Sequence, residues 1–105
     1  MDITPDHEKI VRNILKKNLS SGTKVFIFGS RAIRAKKKFS DLDLAMDSNV
    51  ALPISIISSL EHDFSESDLP YKVDVIDLNN ISDSFRKKIQ TEMILFWDGS
   101  KKAGS

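Results

Sequence analysis

Val25-Phe-Ile-Phe-Gly-Ser-Arg-Ala32 and, after a basic linker, Ser40-Asp-Leu-Asp-Leu-Ala-Met-Asp47 are the stretch that decides how this chain folds. Val25 to Phe28 is short, β-branched and aromatic, the composition of a buried strand. Gly29 and Ser30 end it. A glycine there lets the backbone turn sharply and come close to whatever lies above the strand end. Ser30 can cap a short following helix, leaving N–H groups pointing outward, where a phosphate is favoured. After the linker, Asp41 and Asp43 alternate with Leu42 and Leu44. Successive strand side chains point to opposite faces, so the two carboxylates share one face and the two leucines the other. Aspartate is depleted in strands, and two on one face repel each other.

A divalent cation between them resolves that repulsion. Mg²⁺ takes a few carboxylate oxygens together with water and phosphate oxygens. Such ions catalyse phosphoryl and nucleotidyl transfer by orienting groups and offsetting charge. A Gly-Ser turn for phosphates beside a carboxylate pair for metal is half of a nucleotide site. The alternative is a solvated strand face beside a glycine turn, and Asp-x-Asp alone would not decide between them. The apolar strand and the Gly-Ser turn upstream favour the nucleotide site.

Gly29-Ser30-Arg31-Ala32 followed by Ser40-Asp41-Leu42-Asp43-Leu44 resembles the two-part signature of the DNA polymerase β-like nucleotidyltransferase superfamily. The chain as a whole resembles its minimal nucleotidyltransferase (MNT) branch, small proteins paired with a helical HEPN or substrate-binding partner. The resemblance runs from the first helix to about Asp98, with Phe64 to Pro70, Val73 to Leu78 and Ile89 to Trp97 as supporting pieces. It implies a metal, Mg²⁺ or Mn²⁺, held by Asp41, Asp43 and a third carboxylate, Asp74, which would also serve as general base. It implies ATP or another nucleoside triphosphate as substrate, its β- and γ-phosphates at Gly29 and Ser30, with Arg31 and Ser40 also on the nucleotide. The family usually carries a glycine where this chain has Arg34, a departure that bears on the loop and not on the metal ligands.

At 105 residues with a net charge of +1, the chain is one domain with no global pull towards nucleic acid or a membrane surface. It has no cysteine, hence no disulfide framework and no thiolate metal site. A polar start and the lack of any apolar run near ~20 residues argue against a signal peptide or membrane anchor, and point to the cytoplasm. We expect a nucleotidyltransferase domain over residues 1–99 and a flexible tail over 100–105.

Thr4-Pro5 opens a helix with an apolar stripe of Ile10, Val11, Ile14, Leu15 and Leu19, ended by Gly22. His7 in its first turn is expected in solvent. The basic linker Arg34 to Phe39 reads as a solvated loop, with triphosphate, an acidic partner or RNA as its alternative contacts. Asp47 shares the parity of Asp41 and Asp43, but the following Ser48-Asn49 marks it as a strand end rather than a ligand. Leu52-Pro53 begins a helix that buries Ile56, Ile57, Leu60 and Phe64, with His62 facing water. Tyr71 to Leu78 reads as a central strand with Val73 and Val75 on one face and Asp74 and Ile76 on the other. An aspartate there needs a cation or hydrogen-bond partners. Asp77 has the opposite parity and lies near the strand end, which makes Asp74 the better candidate; a structural hydrogen bond remains the alternative for it. Ser82 caps a helix with Phe85 and Ile89, its Arg86, Lys87 and Lys88 in solvent. Met93 to Trp97 is a last short strand, a pairing surface if it lies at the sheet edge.

These elements give an α/β (α+β) domain, a mixed sheet of about four strands against helices. The short link between the first two strands suggests an antiparallel pair, and the helical crossovers permit parallel pairing. Larger superfamily members add domains that hold nucleoside and acceptor. The resemblance therefore implies a second protein, or a second copy in a homo-oligomer, completing the site. The first functional expectation is Mg²⁺-dependent transfer of a nucleoside monophosphate, AMP from ATP, onto a hydroxyl. In the resembling branch that hydroxyl can be a tyrosine of the HEPN toxin, which makes this chain the antitoxin. The rival is an interaction subunit that neutralises its partner by contact, with nucleotide as an optional ligand. RNA binding through the lysine loop is weak, because one basic loop without interleaved aromatics makes a poor electrostatic footprint.

Overall fold

A computed structural model describes residues 3–29 and 41–100 of the chain. Ser30, Arg31, Ser40, the linker 34–39 and the tail 101–105 lie outside the described residues. The elements run α1 (Pro5–Asn18), β1 (Lys24–Phe28), β2 (Leu42–Asp47), α2 (Ile54–Ser65), β3 (Val73–Asp77), a 3-10 turn (Leu78–Asn80), α3 (Asp83–Gln90) and β4 (Ile94–Asp98).

Local chemistry sets the helix ends. Thr4 Oγ1 accepts the His7 N–H at 3.4 Å and Pro5 takes the first helical position, where its missing N–H costs nothing. Asp6 and Glu8 lie at the positive end of the α1 dipole and Lys16 and Lys17 at the negative end. The helix stops at Asn18, before the expected Gly22: Leu19 turns extended and donates its N–H to Leu15 O. Asn18 then ties α1 to α2. Its Nδ2 donates to Asp63 Oδ2 at 2.9 Å, and its Oδ1 accepts from Ser59 Oγ at 2.6 Å. That amide bond is the leading reason the Asp63 carboxyl sits below its ordinary range, with the Lys17 ammonium adding to it. α3 is capped by Ser82, whose Oγ accepts the Phe85 N–H at 3.3 Å.

The strands form one sheet in the order β3-β2-β1-β4. β1 pairs antiparallel with both β2 and β4, and β2 pairs parallel with β3. The expected antiparallel β1–β2 pair and parallel crossover are both present. Strand parity divides the core in two. Val25, Ile27, Leu42, Leu44, Met46, Val73 and Phe96 face α1 and α2, meeting Val11, Leu15, Leu60 and Phe64. Each fully buried aliphatic there contributes about 1.5–3 kcal/mol. Ala45, Leu78 and Ile89 form the smaller cluster, with Phe26, Phe28, Ile76, Ile81 and Met93 against it. Asp43 and Asp74 share the parity of Ala45 and Ile76, so they lie on the face that α3 covers in part.

Other details differ from the sequence expectation or add to it. β3 is a terminal strand of the described sheet, not a central one, because β2 takes β1 as its other neighbour. His7 is half-buried, its ring edge-to-face with Tyr71 at 5.4 Å, rather than in open solvent. Arg86 folds back to donate from Nη2 to Leu78 O, while Lys87 and Lys88 are exposed. Phe85 is 40% exposed, and Ile89 alone carries the α3 contribution to the buried core. β4 does lie at a sheet edge, with Ile94 and Leu95 exposed.

Candidate active site

The end of β1 and the starts of β2 and β3 meet at one corner of the sheet. Phe28 is the register partner of Asp43 across β1–β2, and Asp43 is the partner of Asp74 across β2–β3. Both aspartates follow from the period of two: each is the second residue of its strand, alternating with a buried leucine or valine. Parallel pairing in register then sets the two carboxylates side by side.

Gly29 packs directly against Asp43. Its φ is +76°, in the left-handed region that glycine adopts freely. A Cβ on Gly29 would overlap Asp43 Oδ2, so the chain passes the carboxylate at a distance only a hydrogen permits. A glycine is needed here for both reasons, its backbone angle and its closeness to Asp43.

Asp43 is the perturbed group of the corner. Its carboxyl is pushed from 3.8 up to about 6, by burial first, then by the charge of Asp74 and that of Asp41. A proton shared with Asp74 and the charge of Glu92 push the same way. Desolvation and like charge both disfavour the ionised form. Asp74 answers part of its own charge with Lys72, whose Nζ stands 3.3 Å from Asp74 Oδ1. Asp41, just ahead of β2, is exposed.

The structure therefore brings Asp43 and Asp74 together and holds Asp41 near enough to act on Asp43 through its charge. Among the described residues, no three His, Cys, Asp or Glu side chains converge as a ready-made ion site. The donor set nevertheless fits a hard divalent ion: two carboxylates side by side, with Asp41 near enough to act on Asp43 through its charge. Ser30, Arg31 and Ser40, the remaining candidates, lie outside the described residues.

Asp77 has a different task. Its Oδ2 accepts the Leu52 N–H at 2.7 Å and its Oδ1 the Asn79 N–H at 2.9 Å. It caps the 3-10 turn and fixes the entry to α2, with Met46 rather than a carboxylate as its register partner. Asp47 is exposed at the far end of β2. His62 is exposed as expected. A cleft of about 340 Å³ lined by Phe64, Leu69, Tyr71 and Lys72 opens beside α2, but none of the three aspartates borders it.

One further carboxylate at this corner is not marked by the sequence pattern. Glu92, in the turn between α3 and β4, accepts the Gly29 N–H on Oε1 at 3.1 Å. Its single acidic side chain in a polar turn carries no periodic signal.

With this geometry in place, comparison with known proteins is decisive on family. The family described as Polymerase beta, Nucleotidyltransferase matches residues 8–102. The chain belongs to the polymerase β nucleotidyltransferase family. This nucleotidyltransferase is 38% identical over 101 residues to a probable protein adenylyltransferase, MntA, of Haemophilus influenzae, covering 96% of this chain and 88% of that one. A toxin–antitoxin crystal structure with AMP-PNP matches with a TM-score of 0.73 at 23% identity, over 87% of this chain and 73% of that chain. An MNT antitoxin in complex with a tri-AMPylated HEPN toxin of Shewanella oneidensis matches with a TM-score of 0.67 at 22% identity, over 87% and 69%. At those identities the two structures establish the shared fold. Among the described residues, no helix is long and apolar enough to cross a membrane.

Proposed function

We propose that this nucleotidyltransferase is a protein adenylyltransferase of the MNT antitoxin type, moving AMP from ATP onto a hydroxyl of a helical HEPN toxin partner. The observation that carries this reading is the Asp43–Asp74 pair held under the Gly29 turn. The MntA relative, at 38% identity, supports the choice of AMP and of a protein acceptor. The toxin complexes of the same fold support the choice of partner.

Gly29 brings the phosphate-binding turn up against Asp43, because its missing side chain permits that close approach. Ser30 follows it on the phosphates, with Arg31 and Ser40 close by in sequence. Asp41, Asp43 and Asp74 would hold a divalent cation, Mg²⁺ or Mn²⁺, which when bound offsets charge on the attacking and leaving oxygens. The acceptor oxygen bonds to the α-phosphorus, the bond to the bridging oxygen breaks, and pyrophosphate leaves. Asp74, its side chain 40% exposed beside Lys72, takes the proton of the acceptor hydroxyl. The partner supplies that hydroxyl and completes the acceptor side of the site. The reaction belongs in the cytoplasm, where ATP is supplied.

Neutralisation by contact alone is the second reading, favoured by the exposed Ile94 and Leu95 of the edge strand β4, which can pair with another protein. Co-expression with the toxin separates the two. Asp43→Asn, which keeps the shape of the side chain, should leave cells unprotected while the complex still forms. Protection undiminished by Asp43→Asn would assign neutralisation to contact.

A further inference from the structure

We propose that Glu92 is a positioning residue, whose carboxylate fixes the Gly29 amide and so sets the turn that receives the triphosphate. The proposal rests on the nucleotide site described above. Three observations carry it. First, β1 and β4 pair antiparallel as far as Ile27 and Ile94, where the backbone ladder stops. Continued in register, Gly29 stands opposite Glu92, and the side chain of Glu92 takes the Gly29 N–H at 3.1 Å. Second, the turn that carries Glu92 is itself fixed. The Glu92 and Met93 N–H groups both donate to Ile89 O, at 3.0 and 2.9 Å, and Ile89 is 1% exposed in the core beneath α3. The carboxylate is thus built out from the core rather than from a loose loop. Third, Gly29 takes φ +76°, the left-handed angle at which the chain leaves β1.

The position of this carboxylate is unfavourable by charge, because it adds to the negative charge acting on Asp43. A hydrogen bond with an ionised acceptor is about twice as strong as a neutral one, which accounts for a glutamate at a place where its charge is otherwise adverse. The described bond of its side chain is to Gly29, so its effect passes through that amide and not through the reacting atoms.

The experiment is calorimetric titration of the full chain with ATP and Mg²⁺, for the natural sequence, Glu92→Gln, Glu92→Ala and Glu92→Ser, with melting curves of each. Glutamine retains the acceptor oxygen and loses the charge; alanine and serine are too short to reach Gly29. The expected result is ATP affinity within about twofold of the natural chain for Glu92→Gln and weakened about tenfold for Glu92→Ala and Glu92→Ser, the range of one hydrogen bond to a charged group. In the toxin complex, the same loss is expected in KM for ATP rather than in kcat. Unchanged affinity in folded Glu92→Ala or Glu92→Ser overturns the proposal. Tighter binding in all three variants also overturns it, because Glu92 would then act only as an opposing charge. If the natural chain itself binds no ATP, the nucleotide-site reading fails first, and this inference with it.

Discussion

Asp43 of β2 and Asp74 of β3 are register partners in the parallel pair, and burial first, then the charge of Asp74, raises the Asp43 carboxyl to about 6. In the unfolded chain that carboxyl returns to its ordinary value of 3.8. A carboxyl raised on folding favours the folded state while it is protonated, and that advantage is lost as pH rises through the folded value. In EDTA, the natural chain should therefore lose stability relative to Asp43→Asn between pH about 4 and about 6. At pH 7, Asp43→Asn should be the more stable by about 1 kcal/mol, allowing for solvent screening of a half-exposed group. Melting temperatures of the two across that range check it. Mg²⁺ should raise the melting temperature of the natural chain and leave Asp43→Asn unmoved.

Gly29→Ala introduces a Cβ at φ +76° and drives it into Asp43 Oδ2. The backbone cost is about 1–2 kcal/mol, and relief requires either the turn or Asp43 to move. Both movements spoil the same corner. We expect a loss of stability of that size in denaturant titration, together with loss of ATP binding. Gly22→Ala, in the turn after α1 and with nothing near its Cβ, is the control and should do neither.

Asp74 and Asp77, three residues apart on one strand, should separate cleanly. Asp77→Ala strips acceptors from the Leu52 and Asn79 N–H groups and should cost about 1–3 kcal/mol of stability while sparing ATP affinity. Asp74→Asn should do the reverse, abolishing transfer with little change in stability. Paired denaturation and transfer measurements check both.

Much of this corner was legible because strands repeat every two residues. The alternation of Asp41 and Asp43 with Leu42 and Leu44, and of Asp74 with Val73 and Val75, fixed which face carries the carboxylates. Connection lengths carried the antiparallel and parallel pairings. Strand order was not legible, since β2 could take its second neighbour only through long-range pairing; that is why Asp74 was expected in a central strand and lies in a terminal one. Glu92 was missed for a related reason: its contact with Gly29 spans 63 residues and has no periodic trace. Arg86 looked like its solvated neighbours Lys87 and Lys88 because nothing in three successive cations says which one turns back to Leu78 O.

Asn18 tests the packing that supports the corner from behind. It bonds Asp63 and Ser59 of α2 from the last residue of α1, so Asn18→Ala removes both bonds across the helix interface and leaves Asp63 to the Lys17 ammonium. A loss of about 1–3 kcal/mol is expected in denaturant titration, with catalysis by the folded fraction unchanged. The Asp63 carboxyl should also rise towards its ordinary value, readable by NMR titration.

The most direct test of the central claim is intact mass spectrometry of a HEPN-type toxin partner, after incubation with this chain, ATP and Mg²⁺. We expect the toxin to gain the mass of one or more AMP groups, and the gain to vanish with Asp41→Asn/Asp43→Asn although the complex still forms. A toxin whose mass is unchanged by the natural chain, yet which is neutralised by it, would contradict adenylyl transfer as its function.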